Sequence, residues 1–358
     1  MNAESTHPLA PLEPLLSDPG ISEILADGAA KVYVERQGKL EDIPSPFRDD
    51  DHLLQVIQAL IEPLGRKLDE SAPIVSARLA DGSRLQAVIP PVSVVGPSLT
   101  IRKFINVPLS VQDTLRFGVW SEEMVAFIRA CVRGRMNIVL VGNAGSGKTT
   151  MANLIGGMIP AQERIITVEI ASELRLHQPR VVILESRPPN VEGKGEVTVR
   201  DLLFAALRMR PDRIVFGELR GAEVLDLLEA ANTGHDGTLA TMHATSPRDA
   251  LNRIEMMATY SDFSLPLLTV RQMMASAIDL ITYQERMRDG SRKMIKVVEV
   301  VGMQGDRVMT QDLFEFRQTG VQEGRITGYH TATGSIPRCL DRLAAAGIEL
   351  PMDMFRPK

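Results

Sequence analysis

The sequence predicts an α/β protein, in which a large C-terminal domain built on a mostly parallel sheet follows a smaller mixed α/β domain. Three observations lead to this prediction. The length of 358 residues suits two domains of the usual size of roughly 100–200 residues. Continuous apolar segments recur after residue 136, with helical patterns between several of them, which is typical of parallel strands buried on both faces. A glycine-rich motif lies between the first of these strands and a helix.

Composition excludes several classes of protein. The chain contains 44% apolar residues, and 40 Lys and Arg oppose 45 Asp and Glu, so neither a disordered chain nor a generally basic nucleic-acid-binding protein is expected. Two cysteines, Cys131 and Cys339, cannot build a disulfide framework. No apolar run approaches the roughly 20 residues that span a bilayer, and the first residues lack the pattern of a signal peptide. We therefore expect a cytoplasmic protein that associates with a membrane only peripherally, through partners.

The sequence of the N-terminal part predicts a loose arm, followed by a small α+β domain over residues 21–104. Residues 1–20 are rich in proline and are expected to form a flexible arm. The alternation in residues 31–40, interrupted by a turn, predicts a hairpin with one buried face. Apolar residues at helical spacing predict an amphipathic helix over residues 53–64, with Asp residues before it as N-caps and Pro63 disturbing its last turn.

A strand-rich stretch over residues 74–104 completes this domain. A linker is predicted at 105–113, where a proline coincides with a change in the residue pattern. The larger domain is predicted to cover residues 114–358. Ser121 is expected to cap a helix that ends near Arg133. Buried parallel strands are then predicted at 136–141, 165–168, 181–184, 214–216 and 239–242.

The motif at residues 142–149 has the sequence of a phosphate-binding loop. It fits the pattern G-x4-G-K-[ST] at every position and lies between a strand and a helix, as such a loop requires. Glycines let several backbone N–H groups point at one anion, and the helix N-terminus adds the positive end of its dipole. Lys148 is predicted to contact the β- and γ-phosphates of ATP, and Thr149 to bind Mg²⁺. The predicted cofactor-binding residues are Gly142, Asn143, Ala144, Gly145, Ser146, Gly147, Lys148, Thr149 and Thr150.

Acidic and histidine side chains follow the other predicted strands. Glu218 comes directly after the fourth strand, at the edge of the sheet where ligands bind in such folds, and it is predicted to hold Mg²⁺ or to orient the attacking water. Glu169 and Glu173 follow the second strand in the same way. His243, after the fifth strand, is predicted to contact the γ-phosphate or to respond to its loss, whereas His235, before that strand, is assigned to a turn.

These residues, in this order, resemble the secretion-ATPase superfamily of type II and type IV secretion systems and type IV pili. The superfamily's Walker A motif falls on 142–149, its Asp box on 167–173, its Walker B motif on 212–218 and its His box on 233–244. Within the superfamily the sequence is most similar to the CpaF/TadA family of Flp (tight adherence) pilus motors. The segments that carry this closer resemblance are 65–71, 77–84, 97–104, 193–195, 207–213, 334–337 and 350–351.

The resemblance implies a RecA-like ATPase domain, a homohexameric ring, and ATP with Mg²⁺ bound between the two domains. In related motors, arginines of the N-terminal domain reach the phosphates, and Arg84 and Arg102 match those positions. The first glutamate of the Asp box, here Glu169, is a candidate base for the attacking water, and Glu218 assists with the metal. The family has Asp after this glutamate where the chain has Ile170, which predicts weaker support of the metal or slower turnover.

The functional prediction is a cytoplasmic, Mg²⁺-dependent ATPase at the inner-membrane face that powers assembly of a Flp-type type IV pilus through inner-membrane platform proteins. An alternative with the same fold is a conjugation or effector-secretion ATPase of a type IV system. A nucleic-acid translocase is a third possibility, but the mild acidity and the lack of a clear basic, aromatic groove argue against it, and no specific nucleic-acid partner is expected. A non-catalytic nucleotide-binding scaffold is supported by Ile170 alone.

Overall fold

The computed structural model describes residues 8–36, 38–103, 109–190, 193–261 and 265–358. The chain forms two compact units, Met1–Pro108 and Leu109–Lys358, each with its own sheet and its own hydrophobic core. Among the helices in the described ranges, none is long and apolar enough to cross a membrane.

The first unit is built on a six-stranded antiparallel sheet. Its elements are α1 (Glu13–Ser17), β1 (Ile21–Asp27), β2 (Val32–Arg36), β3 (Lys39–Ile43), α2 (Asp50–Ile61), a 3-10 helix (Glu62–Leu64), β4 (Ile74–Arg78), β5 (Arg84–Val88) and β6 (Ser98–Arg102). The strands lie in the order β3-β2-β1-β6-β5-β4, and every neighbouring pair is antiparallel.

Helix α2 packs its apolar face against this sheet, in one core with buried residues of β1, β2, β5 and β6. Its first turn is capped by Asp49, whose side chain accepts a hydrogen bond from the N–H of His52 at 2.8 Å. The helix ends at Ile61, and the 3-10 helix that follows contains Pro63, since a proline interrupts regular α-helical hydrogen bonding. The predicted hairpin, which is β2–β3, and the predicted helix are both confirmed.

The N-terminal arm differs from the prediction over residues 8–20. Glu13–Ser17 form α1, with a proline in its first turn, where a proline is tolerated because the missing N–H has no intrahelical partner. The Leu12 side chain is fully buried in the core of the first unit. Burial of a leucine contributes roughly 1.5–3 kcal/mol, which holds this segment against the sheet rather than leaving it loose. Residues 1–7 lie outside the described ranges.

The second unit contains the remaining elements. Its helices are α3 (Val111–Arg116), α4 (Glu122–Arg133), α5 (Lys148–Gly156), α6 (Val199–Leu207), α7 (Glu223–Asn232), α8 (Pro247–Ala258), α9 (Leu267–Ala277), α10 (Leu340–Ala345) and a 3-10 helix (Met352–Phe355). Its strands are β7 (Ile138–Gly142), β8 (Ile165–Glu169), β9 (Val181–Glu185), β10 (Arg213–Leu219), β11 (Leu239–His243), β12 (Leu280–Arg286), β13 (Arg292–Gln304), β14 (Arg307–Gln322) and β15 (Arg325–Ala332).

These nine strands form one mixed sheet in the order β15-β14-β13-β12-β7-β11-β10-β8-β9. The strands from β12 to β9 pair in parallel, whereas β13, β14 and β15 continue the sheet in antiparallel fashion. All five parallel strands predicted from the sequence are present, and the antiparallel extension is an addition to the prediction. The carboxyl ends of the parallel strands meet at one edge of the sheet, which is where a ligand site is expected.

Both faces of the parallel strands are covered. Within β7, Val139 and Val141 belong to one core with α6, α7, α8 and α9, whereas Ile138 and Leu140 belong to the other core with α4, α5 and α10. Such alternation places successive side chains on opposite faces of a strand. The α/β fold class is therefore confirmed.

Two details of the second unit differ from the prediction. Residues 105–108 of the predicted linker lie outside the described ranges, but α3 begins at Val111, inside the predicted linker, because Ser110 and Asp113 form a capping box. Strand β9 is predicted to be buried on both faces, yet the Ile183 side chain is 47% exposed. The reason is that β9 lies at the edge of the sheet and has β8 as its single neighbour.

Candidate active site

The phosphate-loop motif forms the turn between β7 and α5, at the carboxyl edge of the parallel strands. Strand β7 ends at Gly142 and helix α5 begins at Lys148. Gly145 and Gly147 have positive φ angles of 71° and 91°, a region that side chains disfavour, so this sharp turn depends on glycine. The first N–H groups of α5 have no intrahelical partners, and together with the positive end of the helix dipole they suit an anion.

Lys148 is buried inside the loop, with 8% of the residue exposed. Its Nζ donates hydrogen bonds to the carbonyl oxygens of Gly142 at 3.0 Å and Asn143 at 2.9 Å. The same Nζ lies 3.2 Å from Nδ1 of His243, the last residue of β11. The ammonium group therefore lies under the turn, bound to acceptors that a phosphate oxygen can replace.

His243 lies between Lys148 and Glu218. An ammonium group has no acceptor, so Nδ1 of His243 accepts from Lys148 and the ring proton sits on Nε2, which lies 2.7 Å from Oε1 of Glu218. Burial and the Lys148 charge lower the pKa of His243 below its usual range, although the Glu218 carboxylate opposes the shift. The ring is therefore neutral at pH 7. Glu218 is held from its other side by Arg220, whose Nε donates to Oε2 at 2.5 Å.

Thr149 faces a carboxylate that the sequence prediction does not assign to the site. Its hydroxyl donates a hydrogen bond to Oε2 of Glu173 at 2.9 Å. Glu173 lies in the segment after β8, and the predicted metal ligand Thr149 is thus next to Glu173 rather than next to Glu169. The sequence shows two glutamates in one acidic segment, but it does not indicate which of the two side chains reaches the phosphate loop.

Glu169, the last residue of β8, is 2% exposed, and the hydrogen-bond donors to its carboxylate come from its own segment. Its carboxylate accepts hydrogen bonds from the N–H groups of Glu173 at 2.7 Å and Leu174 at 2.9 Å, and from the Thr167 hydroxyl at 3.2 Å. Burial raises the pKa of Glu169, and the N–H donors of Leu174 and Glu173 oppose that rise. The geometry makes Glu169 an anchor for the segment that carries Glu173.

The residues present fit a magnesium-bound nucleotide. Two buried atoms at the site have no hydrogen-bond partner among the described residues: Oδ1 of Asn143 and Oγ of Ser146. Unpaired buried polar atoms are costly, so such atoms indicate a ligand or water. Within the described ranges, no group of three or more His, Cys, Asp or Glu could hold a metal alone.

The two predicted arginines lie side by side in the first unit. Arg84 on β5 pairs directly with Arg102 on β6, and Arg78 on β4 pairs with Arg84. Directly paired residues share a face of the sheet, so three arginines form one row at the ends of these strands. Nε of Arg102 also lies 3.4 Å from Oε1 of Glu23 on β1. Arg78 is an addition to the predicted pair.

The structure settles the position of three other residues that the sequence singles out. Ile170, the residue at which the sequence departs from the pattern of the resembled family, has a side chain that is 39% exposed. Its carbonyl oxygen accepts a hydrogen bond from the Ser186 hydroxyl at 3.0 Å. His235 lies before the first residue of β11, at the end opposite to His243, and its carbonyl oxygen accepts from Thr238, which agrees with a turn. Thr150 lies in the first turn of α5.

Two side chains from outside the predicted motifs also contact the phosphate loop. Gln284 on β12 donates from Nε2 to the carbonyl oxygen of Ser146 at 3.2 Å. Arg292, the first residue of β13, donates from Nε to the carbonyl oxygen of Gly145 at 3.1 Å. Neither belongs to a recognisable local motif, because both reach the loop through the pairing of β12 with β7.

The family model of Type II/IV secretion system proteins matches residues 5–336 of the chain. The chain belongs to this family. It is a secretion-family ATPase with a RecA-like α/β fold, and the motifs described above are those on which the resemblance to secretion ATPases rests.

Two curated relatives are matched over most of their own length. A candidate conjugal transfer protein of Mycobacterium tuberculosis is 36% identical over 292 residues, which are 80% of this chain and 82% of the relative. The type IV secretion system protein PtlH of Bordetella pertussis is 35% identical over 322 residues, which cover 82% of this chain and 93% of PtlH. Among solved structures, the ATPase DotB of Yersinia pseudotuberculosis has a TM-score of 0.58 at 18% identity, covering 86% of this chain and 81% of DotB, a likeness of fold alone.

Proposed function

We propose that the protein is the Mg²⁺-dependent ATPase of a type IV secretion or conjugation system. The observation that carries this proposal is the match to PtlH, a type IV secretion system protein, over 82% of the chain and 93% of the relative. The candidate conjugal transfer protein matches almost as completely. The buried Lys148, beside Thr149, Glu173, Glu218 and His243 at one sheet edge, supports hydrolysis of ATP at this site.

Binding of ATP begins with an exchange of partners at Lys148. The phosphates replace the carbonyl oxygens of Gly142 and Asn143 as acceptors for the ammonium group, and the loop N–H groups donate to the same oxygens. Thr149 and Glu218 would hold Mg²⁺, with Glu173 beside them, and the ion would neutralise charge on the β- and γ-phosphates. His243 then loses its contact with Lys148 and becomes available to the γ-phosphate, so its state follows the nucleotide.

Glu173 is the carboxylate that orients the attacking water, and Glu169 is its positioning residue. The support for this assignment is that Glu173 reaches Thr149, whereas the carboxylate of Glu169 is occupied by the N–H groups of residues 173 and 174. This replaces Glu169, the candidate base suggested by the family resemblance, in that role.

Arg84 and Arg102 of the first unit stabilise the charge that develops on the phosphates, because a guanidinium group offers a planar fork to phosphoryl oxygens. The protein acts as a homohexamer in the cytoplasm, at the inner-membrane face, where it drives inner-membrane platform proteins.

The Glu173→Gln variant tests the division of roles between the two glutamates. We expect its kcat for ATP hydrolysis to fall about 100-fold or more, since a positioned carboxylate typically contributes 10²–10⁴-fold, while its thermal midpoint and ADP affinity change little. Glu169→Leu should lower both activity and the thermal midpoint, because leucine leaves the two N–H groups of residues 173 and 174 without their acceptor. Steady-state hydrolysis, calorimetry of ADP binding and thermal unfolding measure these effects. Near-normal hydrolysis by Glu173→Gln would return the water-orienting role to Glu169.

Assembly of a Flp-type pilus is the second candidate function. It is favoured by the segments that resemble CpaF/TadA motors, such as 65–71 and 97–104. A deletion strain complemented with wild-type or Lys148→Met protein separates the two candidates. We expect the variant to abolish protein secretion or DNA transfer to a recipient, whereas loss of surface pili with normal secretion and transfer would favour the pilus motor. Stimulation of ATP hydrolysis by DNA would instead favour a nucleic-acid translocase.

A further inference from the structure

Two successive carbonyl groups of the phosphate loop are held from outside by one hairpin. Nε2 of Gln284 donates to the carbonyl oxygen of Ser146 at 3.2 Å, and Nε of Arg292 donates to the carbonyl oxygen of Gly145 at 3.1 Å. Both side chains belong to the hairpin formed by β12 and β13. No motif of the sequence analysis includes either residue.

The sheet fixes where this hairpin meets the loop. Strand β12 pairs in parallel with β7, and Gln284 lies opposite Gly142, the residue with which the loop begins. Two residues later, Arg286 pairs with Arg292 across the hairpin. A Cβ atom added to Gly142 would lie 3.1 Å from Cγ of Gln284, and one added to Gly147 would lie 3.1 Å from Cδ of Arg292. The hairpin therefore packs against both ends of the glycine-rich turn.

The geometry of a peptide group gives these two contacts a consequence for the ligand. In a trans peptide the C=O and N–H bonds are coplanar and point in opposite directions. A donor that holds the Gly145 carbonyl outside the loop directs the Ser146 N–H inward, where it makes a long bond of 3.3 Å to the carbonyl oxygen of Asn143. Similarly, the donor on the Ser146 carbonyl directs the Gly147 N–H inward. Successive inward N–H groups form an anion-binding concavity.

The buried state of Gln284 indicates more than packing. The residue is 2% exposed, and its Oε1 has no hydrogen-bond partner among the described residues. Leaving a buried polar atom unpaired carries a free-energy cost that an apolar side chain of the same size would avoid. The amide is therefore retained at a cost, and the bond that it makes is the one to the phosphate loop.

We propose that Gln284 and Arg292 are positioning residues for nucleotide binding, which aim the N–H groups of Gly147 and Ser146 at the phosphates. They act through the peptide groups of the loop and do not themselves touch the reacting atoms. This inference rests on the proposed nucleotide site. It adds to that site a clamp on the outer side of the loop, supplied by the hairpin at the start of the antiparallel part of the sheet.

Calorimetry of MgADP binding to the full chain tests the clamp, with Gln284→Met and Arg292→Met as the variants. Methionine matches glutamine in length, reaches the position of Nε in arginine, and removes the donor in both cases. Arg288→Met is the matched control, because Arg288 is an exposed arginine in the turn of the same hairpin. We expect each clamp variant to raise the Kd for MgADP about 3–10-fold, the effect of one hydrogen bond, and to raise KM for ATP similarly with kcat changed less than about twofold. Arg292→Lys, which keeps a donor, should recover part of the affinity.

The thermal midpoint of each nucleotide-free variant separates positioning from folding. A raised Kd together with an unchanged midpoint supports the clamp, whereas a parallel loss of stability and affinity in both variants overturns it. Wild-type Kd values in both folded clamp variants, or an equal loss in Arg288→Met, also overturn it while leaving the nucleotide site intact. Failure of the wild-type chain to bind MgADP would instead overturn the nucleotide site and the clamp with it.

Discussion

We expect the Lys148→Met variant to lose ATP hydrolysis by at least about 100-fold, the usual effect of removing one preorganised donor from a site of developing charge. Lys148 is the one cation that the described phosphate loop itself contributes, and its Nζ already lies within 3.0 Å of two loop carbonyl oxygens. Methionine matches the lysine side chain as far as Cε and carries no charge. MgADP affinity should also fall, by roughly 10–100-fold, because charge-assisted hydrogen bonds contribute about 1.5–3 kcal/mol.

Lys296→Met provides the matched control for this measurement. Lys296 lies on β13 and forms a partly exposed ion pair with Asp312, and the variant should hydrolyse ATP at the wild-type rate, since such pairs contribute little. A Lys148→Met protein that is folded and fully active would disprove the assignment of the phosphate site. Circular dichroism and thermal unfolding of both variants identify any loss of fold.

The second large effect is expected on stability, from Arg213→Met. The Arg213 side chain has no exposed surface, and it donates to Glu163 Oε2 at 2.5 Å, to the Val132 carbonyl oxygen at 2.7 Å and to the Gly237 carbonyl oxygen at 3.3 Å. The arginine thus joins the start of β10 to the end of α4 and to the turn before β11. Removing one partner of a buried ion pair typically costs about 3–5 kcal/mol. In this variant Glu163 would keep, among the described residues, only its pair with Arg135, and the carbonyl groups of Val132 and Gly237 would lose the Arg213 donor.

Thermal unfolding of the second unit measures this loss, and a fall of roughly 10 °C in its midpoint is expected for a domain of this size. Arg317→Met is the control, since Arg317 is half-exposed in its pair with Glu315 and should change stability by less than about 1 kcal/mol. Arg213 lies at the beginning of β10 and Glu218 near its end. We therefore expect kcat, measured at a temperature well below the thermal midpoint, to equal the wild-type value. A midpoint shift as small as that of the control would show that the buried pair is dispensable.

Features that depend on neighbouring residues in the chain could be predicted from the sequence. The phosphate loop is one, because the strand before it, its glycines and the helix after it are all local. The amphipathic helix α2 and the cap of α4 by Ser121 are others. In each case the pattern contains the physical cause: apolar spacing for a buried face, a hydroxyl for a helix N-terminus, and glycine for positive φ.

Features that depend on tertiary pairing could not be predicted in this way. The sequence contains Glu169 and Glu173 four residues apart, but the backbone N–H groups that occupy Glu169 exist only once the segment has folded. Gln284 is 138 residues from Ser146, and their contact requires β12 to lie beside β7. The arm containing α1 was predicted to be loose from its prolines, although burial of Leu12 decides its conformation.

The hydrogen-bond acceptors of Lys148 within the protein also affect how readily a nucleotide is exchanged at the site. A buried ammonium group left without acceptors is strongly unfavourable, and a site that became bare whenever ADP dissociated would retain its product. Here Gly142, Asn143 and His243 offer the ammonium group three acceptors that belong to the protein itself. Exchange of a phosphate oxygen on Lys148 is therefore a substitution of ligands on one cation. Such a substitution favours reversible binding, even at a site that holds a phosphate through many contacts.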